Sequence, residues 1–261
     1  MWATGRADYR SAMSRTRPLR FLGVDLASQP KKSSLCVIDW ERLPRVIDLV
    51  RPAHDDEIVE RAATVDATGL DCPLGWPDLF VETVRRHHEG KSTSDVDATP
   101  RDLRLRTTDQ WIRSHHVPRD PLSVSTDRLG IVALRGIGIL ERIAGPGADR
   151  SGGAGVYEVY PGGSLAKWGL PSTGYKHEVG RDTRREIVEA LMPHIDLAGT
   201  ADRLVANDDD LDAVITAVVT GLAHLGFSTS APGEHAEIAR VEGWIHVPAI
   251  ALDQLAGVRP L

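Results

Sequence analysis

Phe21-Leu22-Gly23-Val24 is a short continuous apolar run that stops at an acid, Asp25. A run without polar alternation fits a strand buried on both faces, in the middle of a sheet flanked by helices. An ionisable group at the end of such a strand sits at an expensive position. Asp25 therefore stands out from the 37 acidic residues of the chain.

The pattern downstream extends this sheet. Residues 33–40 and 45–50 are β-like, with Leu35, Val37, Trp40, Val46 and Leu49 apolar. The link between them is short, which predicts an antiparallel hairpin. A helix is expected over 55–63, opened by acids that suit a helix N-terminus. Residues 64–72 read as a fourth strand, ended by Pro73 and Pro77. From 77 to about 143 no strand is convincing, and helices are expected over 78–88, 101–114 and 126–143. A Gly-rich linker at 144–155 leads to a fifth strand at 156–160. Helices follow at 182–191 and 209–226, then a late short strand at 244–247. In the second of these helices Leu211, Val214, Ile215, Val218, Val219 and Leu222 recur at helical spacing. Asp208 or Asp209 is a candidate N-cap and Gly226 a candidate C-cap. The fold class is α/β, with residues 19–261 as one domain and a helical insertion at about 78–143.

Composition removes several classes of function. With 41% hydrophobic and 26% charged residues among 261, the chain is too apolar for a disordered one. A net charge of −6 excludes a uniformly basic nucleic-acid coat. Two cysteines, Cys36 and Cys72, cannot make a disulfide framework or a four-thiolate zinc site. No stretch approaches the roughly 20 apolar residues of a membrane span. Residues 1–18 are Arg-rich without an apolar core, so they read as a flexible tail rather than a secretory signal, and Met13 offers an alternative start. A cytoplasmic location is expected.

The acids carry the functional expectation. Asp25 ends the first strand and Asp71 the fourth. Asp209 and Asp212, three apart at the start of the long helix, share a face. Sites in open sheets form beyond the carboxyl ends of strands. Clustered like charges are costly unless a cation sits among them, and an all-oxygen set suits Mg²⁺ or Mn²⁺. Two such ions can activate a water and stabilise the leaving oxygen of a phosphodiester. Glu158, inside Val156-Tyr157-Glu158-Val159-Tyr160, reads either as a further carboxylate of the site or as the wet face of an edge strand.

Residues 85–128 hold nine Lys/Arg against seven Asp/Glu. Arg101, Arg104, Arg106 and Arg113 fall on one expected helix, with 106 and 113 seven apart on a shared face. Trp111 lies among them and can stack on an unpaired base, which makes Arg106, Arg113 and Trp111 candidate nucleic-acid contacts. A plainer reading packs Trp111 in the core and pairs the arginines with Asp102 and Asp109. Lys176 is a candidate contact to a scissile phosphate. The adjacent pairs His87-His88 and His115-His116 do not share a helix face and make poor zinc pairs. Pro161-Gly162-Gly163-Ser164 lacks the full pattern of a phosphate-binding loop.

Nine segments in order resemble the domain of unknown function 429 family, described as predicted nucleases with an RNase H fold. They include Gly23-Val24-Asp25-Leu26-Ala27, Asp71-Cys72-Pro73-Leu74-Gly75-Trp76-Pro77, Arg106-Thr107-Thr108-Asp109 and Ser123-Val124-Ser125-Thr126-Asp127-Arg128. Tyr157-Glu158-Val159-Tyr160-Pro161, Trp168-Gly169-Leu170, Gly174-Tyr175-Lys176, Asp209-Asp210-Leu211-Asp212-Ala213 and Glu242-Gly243-Trp244-Ile245 complete the set. The resemblance implies an RNase H-like mixed five-stranded sheet flanked by helices. It also implies metal binding by a first-strand acid, an acid ending the fourth strand and an acid on the last helix. Asp25, Asp71 and Asp212 match those roles, and Asp209 with Asp212 is similar to the paired helical acids of Holliday-junction resolvases. The insertion at 78–143 departs from a minimal RNase H. The function expected is a metal-dependent nuclease acting on nucleic acid, with Asp209 and Glu158 assisting. The alternative is a non-catalytic or nucleotide- or small-phosphate-binding protein on the same core.

Overall fold

The computed structural model describes residues 17–117 and 121–259. The Arg-rich segment 1–16, with Met13, lies outside the described residues. The sheet has six strands: β1 (Leu19–Asp25), β2 (Ser34–Trp40), β3 (Pro44–Val50), β4 (Ala67–Asp71), β5 (Val156–Val159) and β6 (Ile245–His246), in spatial order β3-β2-β1-β4-β5-β6. The β1–β2 and β2–β3 pairs are antiparallel, whereas β1–β4, β4–β5 and β5–β6 are parallel. The resemblance implied a five-stranded sheet. The sixth strand is the late short strand expected at 244–247, reduced to two residues that add parallel to β5.

β1 feeds two cores, as a strand buried on both faces must. Leu19 and Phe21 point to one core with Trp40, Ile187 and the long helix. Leu22 and Val24 point to the other with Ile58, Leu70 and Ile139. Helix α1 (Asp55–Ala62) covers the second face. Between β4 and β5 come α2 (Asp78–His88), α3 (Pro100–Arg104), α4 (Thr107–His115) and α5 (Gly130–Ala144). After β5 come α6 (Pro161–Lys167), α7 (Arg181–Leu191), α8 (Ala201–Ala206), α9 (Asp208–His224) and α10 (Ala236–Glu242). Among the described residues no helix is long and apolar enough to cross a membrane.

Four local expectations change. The helix expected over 101–114 is two, because Leu105 and Arg106 are extended (ψ 132° and 162°). Asp109 accepts the Arg106 backbone N–H at 2.9 Å, which starts a new helix there. The helix expected from 126 begins at Gly130. The N-cap of α9 is Asn207, whose side chain accepts from the Asp210 N–H at 3.0 Å, and not Asp208 or Asp209. β5 is an interior strand between β4 and β6, so Glu158 lies on no wet edge.

At its far end α9 closes as expected. Phe227 N–H bonds to Leu222 C=O and Gly226 N–H to Ala223 C=O, with Gly226 at φ 81°. That is the Schellman arrangement, in which glycine relieves the left-handed position. Glu242, at the end of α10, accepts from two helix starts at once. Its carboxylate takes the Asp78 N–H at 2.8 Å and the Thr107 N–H at 2.7 Å.

Candidate metal centre

The centre begins with two glycines. β1 and β4 run in register with Gly23 opposite Gly69 and Asp25 opposite Asp71. Residues two apart share a face of a strand, so each aspartate lies beyond its glycine on the side facing α9. A Cβ at Gly23 would lie 2.1 Å from Ala217 N and 2.5 Å from Ala213 O. A Cβ at Gly69 would lie 1.8 Å from Thr220 Oγ1. The helix backbone therefore rests directly on the sheet. Asp212, one residue before Ala213, is brought down between the strand ends. Oxygens of Asp25, Asp71 and Asp212 all lie within 4.8 Å of one another.

Three carboxylates this close cannot all hold their charge cheaply. Burial pushes the Asp25 carboxyl well above the usual carboxylate range, and the facing Asp212 and Asp71 push it further against the pull of Lys176. Burial and Asp212 raise Asp71 to about 7. Burial also raises Asp212, opposed by the charge and hydrogen bond of Lys176 and the hydroxyl of Tyr175. A stability consequence follows for the metal-free protein. Between the ordinary value of 3.8 and about 7 the folded state keeps a proton on Asp71 that the unfolded chain releases. That contribution is present in full below the unfolded value and is lost as pH rises through the folded one. Urea midpoints measured in chelator should fall over this window, and Asp71→Asn should flatten the fall. A wild-type midpoint that holds level across the window contradicts the raised value.

A loop after α6 supplies the counter-charge. Lys176 Nζ pairs with Asp212 and its side chain is 42% exposed. Tyr175 donates its hydroxyl to Asp212 Oδ1 at 3.1 Å. The loop is braced from below by buried Arg184, which donates to the Tyr175 and His177 carbonyls, each at 2.6 Å, and to the Val205 carbonyl at 2.9 Å. His177 sits at φ 62°, ψ −177°. That conformation belongs almost entirely to glycine and costs about 1–3 kcal/mol elsewhere. Strain of this kind persists where surrounding bonds over-determine it, and here Arg184 holds the carbonyls of Tyr175 and His177 on either side of Lys176.

Residues 23–237 match the family described as protein of unknown function (DUF429). The chain belongs to that family. No curated protein and no solved structure matches it.

In this DUF429 protein the other residues singled out in the sequence fall outside the triad. Asp209 lies at its rim, half-buried and paired with Arg51 at 2.8 Å. Burial and Asp208 raise its carboxyl while Arg51 lowers it. Glu158 is 3% exposed and held by Arg106 at 2.6 Å, close enough to Asp71 to raise it further. Its carboxylate also accepts the Leu74 N–H at 3.0 Å.

Arg106 keeps the expected pairing with Asp109 but not the surface position of a nucleic-acid contact. It is 1% exposed and shares no surface with Arg113. Its guanidinium is bonded to Asp109 and Glu158, because the chain breaks at 105–106 and turns the side chain inward. Arg113 is exposed on α4. Trp111 is half-buried, stacked on His115 at 4.7 Å and tilted against Trp244 at 5.2 Å. The turn at Pro161–Ser164 is the first turn of α6. There a Cβ at Gly163 would meet the Tyr160 ring at 2.5 Å, so this turn is packing and not an open phosphate cradle.

Sequence reasoning did not assign a role to Tyr175, Arg184 or the glycine pair. The glycines had a visible signal: Gly23-Val24-Asp25 and Gly69-Leu70-Asp71 repeat one spacing on two strands.

Proposed function

We propose that the protein hydrolyses phosphodiester bonds of nucleic acid, using Mg²⁺ or Mn²⁺ held by Asp25, Asp71 and Asp212. The observation that carries this reading is the convergence of the three carboxylates within 4.8 Å from two parallel strand ends and one helix start. The donor set fits the ion. It is all oxygen, and its carboxyls are raised by burial and mutual repulsion, a cost that a divalent cation relieves. Placement of these acids on a first strand, a fourth strand and a late helix supports an RNase H-like reading of the core.

A bound ion supplies positive charge to a phosphate and a water of lowered pKa. The chain's own groups do the rest. Tyr175 fixes the orientation of Asp212. Lys176, paired with Asp212 and partly exposed, offers an ammonium N–H for a phosphate oxygen. Asp209 adds negative charge at the rim, and Glu158, which shares Arg106 with Asp109, adds to the negative field behind Asp71.

Thermal melts against Mn²⁺ test this. Saturation at a hundredfold excess over Kd stabilises by about 2.7 kcal/mol, which for a chain of this size is several degrees in Tm. Asp25→Asn should remove most of that rise and leave the fold intact, since the amide relieves repulsion at the same volume. Cleavage of labelled single-stranded, duplex and branched oligonucleotides should depend on the same residue. A melting curve unmoved by millimolar Mn²⁺, with no cleavage of any strand, overturns the reading.

A further inference from the structure

A cavity of about 290 Å³ adjoins the acids, with Asp71 and Lys176 in its wall. The rest of that wall is of two kinds. Pro73, Leu129, Val159, Tyr160 and Ile245 give it apolar surface. Arg106, Asp109 and Glu158 give it a polar side.

The polar side has an unusual balance. Arg106 Nε donates to Asp109. Its Nη1 donates to Glu158 at 2.7 Å and to the Glu242 carbonyl at 3.1 Å. Its Nη2 donates to Asp109 at 2.9 Å and Glu158 at 2.6 Å. A guanidinium has five N–H donors, and these five bonds use them. Two carboxylates against one spent guanidinium leave this side net negative, so it repels a phosphate or a carboxylate. Its acceptor is Glu158: among the described residues Asp109 and Glu158 each receive three N–H bonds, but the Asp109 side chain is sealed off while Glu158 keeps a sliver of exposed surface in the cavity wall. A carboxylate offers about four such sites.

The cavity thus suits an uncharged group with apolar faces and an N–H edge, directly beside a place suited to a phosphate. Its volume lies at the small end of ligand pockets, about 300–1,000 Å³, which fits one ring system and excludes a duplex. We propose that it takes an unpaired nucleobase of the substrate, next to the phosphate held at the acids and Lys176. The inference rests on the phosphodiester reading of the centre. It names the substrate class as a strand with a base free to leave its stack, either single-stranded or locally opened.

Binding in Ca²⁺ of short single-stranded DNA and RNA, each compared with an abasic strand of equal length, tests it. The abasic strand keeps the phosphates and lacks only the bases. The wild-type protein should bind the base-bearing strand of at least one sugar type about ten- to a hundredfold more tightly than its abasic match. Leu129→Trp, which fills the cavity, should abolish that preference. It should keep the affinity for the abasic strand and the rise in Tm with Mn²⁺. Leu129→Phe, a smaller insertion, should give a partial loss and serves if the tryptophan variant does not fold. Equal binding of base-bearing and abasic strands by the wild type overturns the pocket and leaves the metal centre standing. So does a preference that survives both substitutions. Absence of any strand binding together with absence of the Mn²⁺ shift overturns the centre, and the pocket with it.

Discussion

Arg106→Met should cost the folded state about 3–5 kcal/mol, the range for removing one partner of a buried ion pair. The guanidinium is 1% exposed and is the shared cationic partner of Asp109 and Glu158, which are themselves buried. Methionine fills similar space and leaves two carboxylates facing each other without a cation. They must then bind protons or admit water, and either response costs stability. Urea unfolding at neutral pH measures the loss. The triple variant with Asp109→Asn and Glu158→Gln should recover much of it, because it removes the charges along with their partner. A loss under about 1 kcal/mol for the single variant would mean that the network is not held as described, since surface pairs fall in that range.

Gly23→Ala should be nearly as damaging, at about 3 kcal/mol, the upper end for overpacking a core. The new methyl would meet Ala217 N and Ala213 O, which belong to the helix backbone and cannot rotate aside. α9 must lift or β1 must bend. Gly69→Ala should cost less, because its first contact is the Thr220 hydroxyl, a side chain able to turn. The diagnostic measurement is the response to Mn²⁺. In Gly23→Ala the rise in Tm should be lost although Asp25, Asp71 and Asp212 are all present, because the helix that carries Asp212 has moved. A full Mn²⁺ response in that variant would show that close helix–sheet contact is not what assembles the acids.

The three acids were legible because each interrupts an apolar pattern at the end of an element. Asp25 follows Phe21–Val24, Asp71 follows the fourth strand, and Asp212 sits among Leu211, Val214 and Ile215. Strand and helix periods place such residues without knowledge of the tertiary structure. Arg106 was legible in part: its pairing with Asp109, three residues on, was the plainer expectation, whereas its burial and its second partner, Glu158, show only in the fold. The break in the expected helix at 105–106 was hidden for the same reason, since Asp109 accepts the Arg106 N–H only after the chain has turned. The cap of α9 lay within Asn207-Asp208-Asp209-Asp210, four residues that all suit the position, and sequence cannot choose among them. The sixth strand was read from the sequence as a short late strand, and only its place in the sheet, parallel to the fifth, needed the fold.

The Glu242 carboxylate has a bearing on motion. One side chain satisfies the opening amides of α2 and of α4, and it is carried on α10, which follows the sheet's long helix in sequence. Opening either helix start exposes this buried acid and forfeits the partner bond at the other. The two helix starts should therefore unfold as one cooperative unit, with amide hydrogen exchange at Asp78 and Thr107 slowing and quickening together. Helices α2 and α4 are thus unsuited to swing as independent lids, and the side of the cavity that Arg106 and Asp109 form is set before any ligand arrives.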